Sequence, residues 1–288
     1  MNTTQPLPGP ISLFASAWTL FKAHWKILAG IAAVSSVPLY LGQALGASHL
    51  SGIWKLVGVL LTIGGAVLSI ALQPALTLAV QSISKEPAAP LTVKGQYSVG
   101  FRYFWPLAGL AIIHGLMILG GVVLFIVPGI IIGVYSALYT FSRILDEKKG
   151  MMSFMESYAL VRGRWWPVLG RLLFVVVIGI FLSLISAGIL FLVRMAIGAG
   201  AASSEASAVA GILKLALNIV LIPLLLTYLY NLYVSLKGTV VPAAEGATDT
   251  AAFRKWLIFF LVVGILVLIL IPIIGLGVAA AISAAPHP

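Results

Sequence analysis

The sequence has 288 residues, 61% of them hydrophobic and 8% charged, with 17 Lys and Arg against 7 Asp and Glu and no Cys. About a quarter of the residues of a soluble globular chain are charged, so this composition excludes a soluble fold and places most of the surface in hydrocarbon, which asks for no charge. Without Cys, disulfide frameworks, thiolate nucleophiles, iron–sulfur clusters and thiolate zinc sites are excluded too.

Residues 1–10 form a tail with closely spaced prolines and no Lys or Arg. It lacks the charged region and apolar core of a cleavable secretory signal, so the N-terminus is expected to stay in the mature protein. From residue 11, Ile11, Phe14, Trp18, Phe21 and Trp25 recur at three- and four-residue spacing, while Ser12, Ser16, Thr19 and Lys26 occupy another face. That pattern predicts a helix lying in the headgroup layer. Charge-free stretches follow at Ile27–Trp54, Leu56–Ser84, Tyr103–Ser142, Leu172–Val193, Leu215–Leu236 and Trp256–Pro288. Each can hold the roughly 20 helical residues that cross ~30 Å of hydrocarbon. As one helix the third would be about 60 Å long at ~1.5 Å per residue. Val127-Pro128-Gly129 near its middle predicts a turn instead, since proline donates no N–H and glycine accepts positive φ. The result is a hairpin, and seven spans. Pro38, Pro74, Pro223 and Pro272 are predicted to kink four of them. Gly42-xxx-Gly46 and Gly129-xxx-Gly133 are predicted to let helices approach closely, and the stretches Gly198–Ser207 and Gly238–Ala252 to be flexible linkers.

Lys and Arg accumulate in short cytoplasmic loops. With a cytoplasmic N-terminus and seven spans, Lys22, Lys26, Lys85, Lys94, Arg102, Arg143, Lys148, Lys149, Arg162, Arg164, Arg171, Lys237, Arg254 and Lys255 lie inside, and Lys55, Arg194 and Lys214 outside, 14 against 3. Without the hairpin the balance inverts to seven inside and ten outside. The predicted fold is thus an all-α polytopic membrane protein of about seven transmembrane helices with its C-terminus outside.

Three segments align when Trp25, Trp105 and Trp166 are superposed: residues 16–30, 96–110 and 157–171, each pairing basic residues with aromatics ahead of a span. A fainter fourth copy begins at Phe253-Arg254-Lys255-Trp256. The third copy sets Phe154, Met155, Tyr158, Val161 and Trp165 on one side and Ser153, Ser157 and Arg164 on the other. The expectation is three parallel repeats, each an interfacial amphipathic helix plus a helical hairpin, about a pseudo-threefold axis along the membrane normal, with the seventh span appended. The predicted organisation is a tail (1–10), a six-helix membrane domain (11–236, repeats about 11–84, 95–147 and 151–236), a cytoplasmic linker (237–255), the seventh span (256–282) and a tail (283–288).

The run Ile126-Val127-Pro128-Gly129-Ile130, then Arg143-Ile144-Leu145-Asp146-Glu147, Lys149-Gly150, Phe154-Met155-Glu156-Ser157 and Arg162-Gly163-Arg164-Trp165-Trp166-Pro167-Val168-Leu169-Gly170 resembles the membrane domain found ahead of some bacterial glycerophosphodiester phosphodiesterases, and its stand-alone YciC-like relatives. The resemblance is strongest over residues 95–180. It implies a six-helix core in a bacterial inner (cytoplasmic) membrane, from which the seventh span departs. The sequence has no segment resembling the hydrolase domain, so the resemblance carries no phosphodiesterase activity.

Catalytic chemistry finds little to stand on. His24, His49, His114 and His287 have no His or carboxylate partner at the spacing of a helical metal pair, and no nucleotide-binding or HExxH motif occurs. Ser183 and Ser186 lack a nearby base, and Asp146-Glu147 beside Lys148-Lys149 reads as a solvated turn. No carboxylate falls at membrane depth. The chain is therefore expected to be no enzyme and to use no cofactor or metal. Two readings remain. In the first it is a scaffold or lipid-interacting module whose interfacial residues Lys22, Trp25, Lys26, Arg102, Trp105, Arg162, Arg164, Trp165 and Trp166 meet anionic lipid headgroups, or only anchor the span ends. In the second, Gln73, His114 and Asn218, polar groups at membrane depth, form the central site of a small-molecule or lipid transporter, or are polar ties between helices. Expected partners are anionic membrane lipids, with protein partners or a homo-oligomer left open and nucleic acid excluded, because the basic residues sit at span boundaries.

Overall fold

The computed structural model describes residues 7–47, 52–87, 90–196, 204–239 and 247–284. Their regular structure is helical throughout: α1 (Pro10–Ala47), α2 (Ile53–Lys85), α3 (Val93–Gly100), a 3-10 turn (Phe101–Tyr103), α4 (Phe104–Leu124), α5 (Ile126–Ser136), α6 (Tyr139–Leu145), α7 (Met151–Val161), α8 (Trp165–Ala196), α9 (Ser204–Thr239) and α10 (Ala247–Ala284). Among the described residues seven stretches are long and apolar enough to cross a membrane: Pro10–Gly46, Ile53–Lys85, Val93–Leu124, Ile126–Leu145, Trp165–Val193, Gly211–Thr239 and Thr250–Ile273. The chain is an all-helical polytopic membrane protein, a construction in which each spanning segment satisfies its own backbone groups, as hydrocarbon demands.

The hairpin in the third stretch exists, but its turn lies at Phe125, in extended conformation, three residues before Pro128. Pro128 sits in the first turn of α5, where the backbone N–H groups have no intrahelical acceptor and a missing donor costs nothing. The helices also continue through Pro38, Pro74, Pro223 and Pro272. The non-helical backbone within α1 is at His24 (φ −124°, ψ 24°), so the expected interfacial helix and first span form one helix bent at that residue. The return arm of the hairpin is itself broken at Ala137-Leu138, between α5 and α6. Glu147 (φ 54°) and Gly150 (φ 53°) then turn the chain into α7.

The chain divides into two compact units. The first holds Met1–Trp105 and Trp166–Thr239. Its centre is the α1–α2 hairpin, closed by small residues: a Cβ on Gly42 would lie 2.6 Å from the Gly58 carbonyl oxygen, and one on Gly65 would lie 2.7 Å from the Leu39 Cα. Without such side chains the backbones approach closely and gain dispersion contacts, the main source of helix association in lipid. α9 packs along α1, and α3 rests on the pair, with the Tyr97 hydroxyl donating to the Ile31 carbonyl at 2.9 Å. The α8 guanidinium of Arg171 donates to the carbonyls of Leu7 and Pro8 at 2.6–2.9 Å, fixing the chain ahead of α1. Farther along, no α8 residue from Leu169 to Val193 is buried.

The second unit holds Pro106–Trp165 and Val240–Pro288. Its core joins Leu110 and Met117 of α4, Ile132 of α5, Tyr139 of α6, Phe154 and Met155 of α7, and Phe253, Leu257 and Phe260 of α10. α4 and α10 cross backbone against backbone: a Cβ on Gly120 would strike the Phe260 carbonyl, and one on Gly264 the Leu116 carbonyl. The first predicted glycine motif is realised in the backbone, since a Cβ on Gly58 would lie 2.9 Å from the Gly42 carbonyl oxygen and 3.0 Å from Gly46 N, and the second is realised in half. Gly42 and Gly129 face neighbouring backbone, whereas Gly46 and Gly133 have open space where their side chains would be. Gly58, Gly65, Gly120 and Gly264 supply further close approaches.

Candidate functional site

The three aligned segments are irregular in different ways ahead of the aligned tryptophan. His24 is non-helical within α1 before Trp25, the 3-10 turn Phe101–Tyr103 precedes Trp105 with helical dihedral angles on both sides, and α7 ends ahead of Arg162–Arg164, which precede Trp166. In the third, Gly163 takes a φ of 76°. Trp25 is 54% exposed, Trp105 80% and Trp166 75%. Lys22, Lys26, Arg102 and Arg162 are exposed, and Arg164 and Trp165 are half-buried. Lys22 Nζ lies 5.8 Å from the centre of the Trp18 ring, within the reach at which an aromatic face attracts a cation.

The faces of these helices differ from the sequence expectation. In α1 ahead of His24 the residues buried against protein are Leu13, Ala17 and Phe21, and Ile11, Trp18 and, just after the bend, Trp25 stay exposed. In α7 both sides are buried, Phe154, Met155 and Val161 on one and Ser153 and Ser157 on the other. The α7 serines therefore do not meet headgroups. Ser153 Oγ donates to the Lys148 carbonyl at 2.7 Å. Ser157 Oγ donates to the Tyr135 carbonyl at 2.7 Å and accepts from the Leu138 N–H at 3.1 Å. Those are groups released by the α5–α6 break, and a buried backbone group left unpaired is costly. The break and the burial of α7 are thus one arrangement.

Of the three polar residues predicted at membrane depth, His114 lies in the second unit and Gln73 and Asn218 in the first. His114 Nε2 is 2.8 Å from Ser136 Oγ, and Ser136 in turn donates to the Ile132 carbonyl. The imidazole is boxed by the rings of Tyr139 and Phe154, at 4.8 and 6.0 Å. Asn218 Nδ2 donates to the Tyr40 hydroxyl at 2.8 Å and to the Lys214 carbonyl at 2.9 Å, tying α9 to α1. Gln73 is half-buried on α2, and its backbone carbonyl accepts from Thr77 Oγ1. Two cavities stand out. One, of about 310 Å³ between α8 and α9, is lined in part by Asn218, Ser183 and Ser186; the other, of about 400 Å³ between α5, α7 and α10, is lined by neither Gln73 nor His114. Among the described residues no group of three His, Asp or Glu is placed to hold a metal ion. His49 and His287 lie outside the described residues, as do Glu245, most of the predicted loop Gly198–Ser207 and residues 240–246 of the predicted linker.

No family model, curated protein or solved structure matches the chain.

Proposed function

We propose that this integral membrane protein is a non-enzymatic, lipid-interacting module of a bacterial inner membrane, with the basic rim on the cytoplasmic side. The observation that carries the reading is the threefold recurrence of an exposed tryptophan beside exposed Lys or Arg at the start of an apolar helix: Trp25 with Lys22 and Lys26, Trp105 with Arg102, and Trp166 with Arg162. Tryptophan prefers the headgroup level, and each Lys or Arg near an anionic leaflet contributes about 1 kcal/mol. The sequence resemblance to the membrane domain found ahead of some bacterial glycerophosphodiester phosphodiesterases supports the placement in a bacterial inner membrane. For the transporter reading, His114 and Asn218 each have hydrogen-bond partners within their own unit, as expected of ties between helices.

The test is lipid selectivity of the full chain. The protein is extracted from membranes of equal phosphatidylglycerol and phosphatidylcholine content, and its co-purifying lipid shell is quantified. Phosphatidylglycerol is expected to be enriched several-fold, and the Lys22→Gln, Lys26→Gln, Arg102→Gln triple variant to lose most of that enrichment. A shell of bulk composition, or one unaltered in the variant, sinks the reading.

A further inference from the structure

Within the second unit, α10 does not close fully on α5 and α7. A cleft of about 400 Å³ remains, lined on α5 by Pro128, Ile131 and Tyr135, on α7 by Tyr158, and on α10 by Phe253 and Trp256. The α10 wall continues to Phe260. The rings form one continuous surface: Tyr158 stacks on Phe253 at 4.0 Å, and Tyr135 meets Phe253 edge-on at 5.4 Å. Such a slot is built for a narrow apolar body.

From Phe253 to Phe260 the α10 wall extends about 10 Å at ~1.5 Å rise per residue. That is some two-thirds of one leaflet of a ~30 Å hydrocarbon core. The wall has a charged end. Arg254 and Lys255 are exposed and lie on the same turn of α10 as Phe253 and Trp256, at the same depth as this end of the cleft and on the flanking faces of the helix, and Arg162 caps α7 four residues after Tyr158. No carboxylate lies among the cleft-lining residues. Apolar walls with cations at one end match an amphiphile that has an anionic head and a long hydrocarbon tail.

We propose that this cleft is a lipid site that holds one acyl chain of an anionic phospholipid, with the phosphate against Arg254 and Lys255. The proposal rests on the lipid-interacting reading above but localises it to a site separate from the Lys22, Lys26 and Arg102 rim. It is specific: the rim gathers lipid from the bulk, whereas the cleft retains a single molecule through detergent extraction.

The full-length protein, delipidated in detergent, is titrated with phosphatidylglycerol or phosphatidylcholine and examined by native mass spectrometry. The expected result is one retained phosphatidylglycerol, bound at least five-fold more tightly than phosphatidylcholine. Ala252→Trp and Ile131→Trp, from opposite walls of the cleft, are expected to abolish retention of that molecule. Arg254→Gln with Lys255→Gln is expected to remove the headgroup preference. Two indole variants on different helices keep the test decisive if one of them fails to fold. Undiminished retention in a folded indole variant, equal retention of the two lipids, or a dimer mass that Ala252→Trp dissolves would overturn the proposal, the last by making a second copy of the chain the occupant. Because the rim variant leaves the cleft intact, retention without shell enrichment and shell enrichment without retention are separately visible.

Discussion

Ser157 offers the sharpest test of the packing. Its side chain is fully buried on α7, and its hydroxyl serves both backbone groups freed where α5 gives way to α6: the Tyr135 carbonyl at 2.7 Å and the Leu138 N–H at 3.1 Å. Ser157→Ala removes one oxygen and nothing else. In water-soluble cores a buried donor left without a partner costs about 1–3 kcal/mol, while side-chain hydrogen bonds between membrane helices average about 0.6 kcal/mol. With two bonds to backbone groups lost at a buried site, a destabilisation of about 1–3 kcal/mol follows. That is a factor of roughly 5 to 150 in the unfolding equilibrium at ~1.4 kcal/mol per tenfold. The assay is reversible unfolding in mixed detergent micelles, with amide exchange at Leu138 as a local probe. Ser183→Ala is the control, since that exposed hydroxyl bonds only to its own helix at Gly179, and it should fall within ~0.5 kcal/mol of the parent. Equal stability of Ser157→Ala and the parent, with unchanged exchange at Leu138, would refute the idea that this serine holds the break.

Three other outcomes follow from the same structure. Gly264→Leu pushes a side chain into the Leu116 carbonyl of α4 and is expected to destabilise the second unit by about 1–3 kcal/mol, the usual cost of overpacking; Gly211→Leu, where nothing lies within 4 Å, should not, and the comparison is made in the same unfolding assay. Arg171→Gln removes the guanidinium that holds the Leu7 and Pro8 carbonyls and is expected to speed cleavage of the N-terminal segment by protease severalfold, with helix content by circular dichroism unchanged. The chain has no Cys, so a single introduced thiol is a unique topological marker: Lys149→Cys is expected to react with an impermeant maleimide only after the cytoplasmic face is opened, and Lys55→Cys in intact cells or spheroplasts. Reversal of that pair would invert the orientation.

The spans were legible because lipid imposes a rule that sequence displays directly: long stretches without charge. Turns and breaks were legible only where residue type forces them. Pro128 signalled a hairpin but not its position, because proline is equally at home in the first turn of α5, three residues past Phe125. The break at Ala137-Leu138 left no local mark, having neither Gly nor Pro, and is sustained by a hydroxyl 19 residues away on α7. The two sides of α7 read as apolar and polar, yet a serine can face protein as readily as water when backbone groups need it. Arg171 counted as one more cytoplasmic cation, whereas its donors are turned on backbone carbonyls. Of the close glycine contacts, the sequence displays those at the characteristic spacing. It does not display Gly120 and Gly264, whose partners lie on a helix more than a hundred residues away.

The polar groups at membrane depth bear on function through what surrounds them. A transport site needs groups that exchange a protein partner for a substrate, and therefore an adjoining space. His114 has Ser136 at 2.8 Å and aromatic rings on its flanks, and its neighbours Tyr139 and Phe154 belong to the unit's core. Moving that imidazole means disturbing the packing that also carries the α5–α6 break. Asn218 is different. It borders the cleft between α8 and α9, and its amide bonds to Tyr40 on the neighbouring helix. Replacing it with Leu removes that tie at about 0.6 kcal/mol while keeping the volume similar. If Asn218 serves only to join α9 to α1, Asn218→Leu and Tyr40→Phe should have equal, non-additive effects on stability and leave lipid selectivity intact. A substrate site at this position would instead show up as a loss of ligand-dependent stabilisation in Asn218→Leu that Tyr40→Phe does not share.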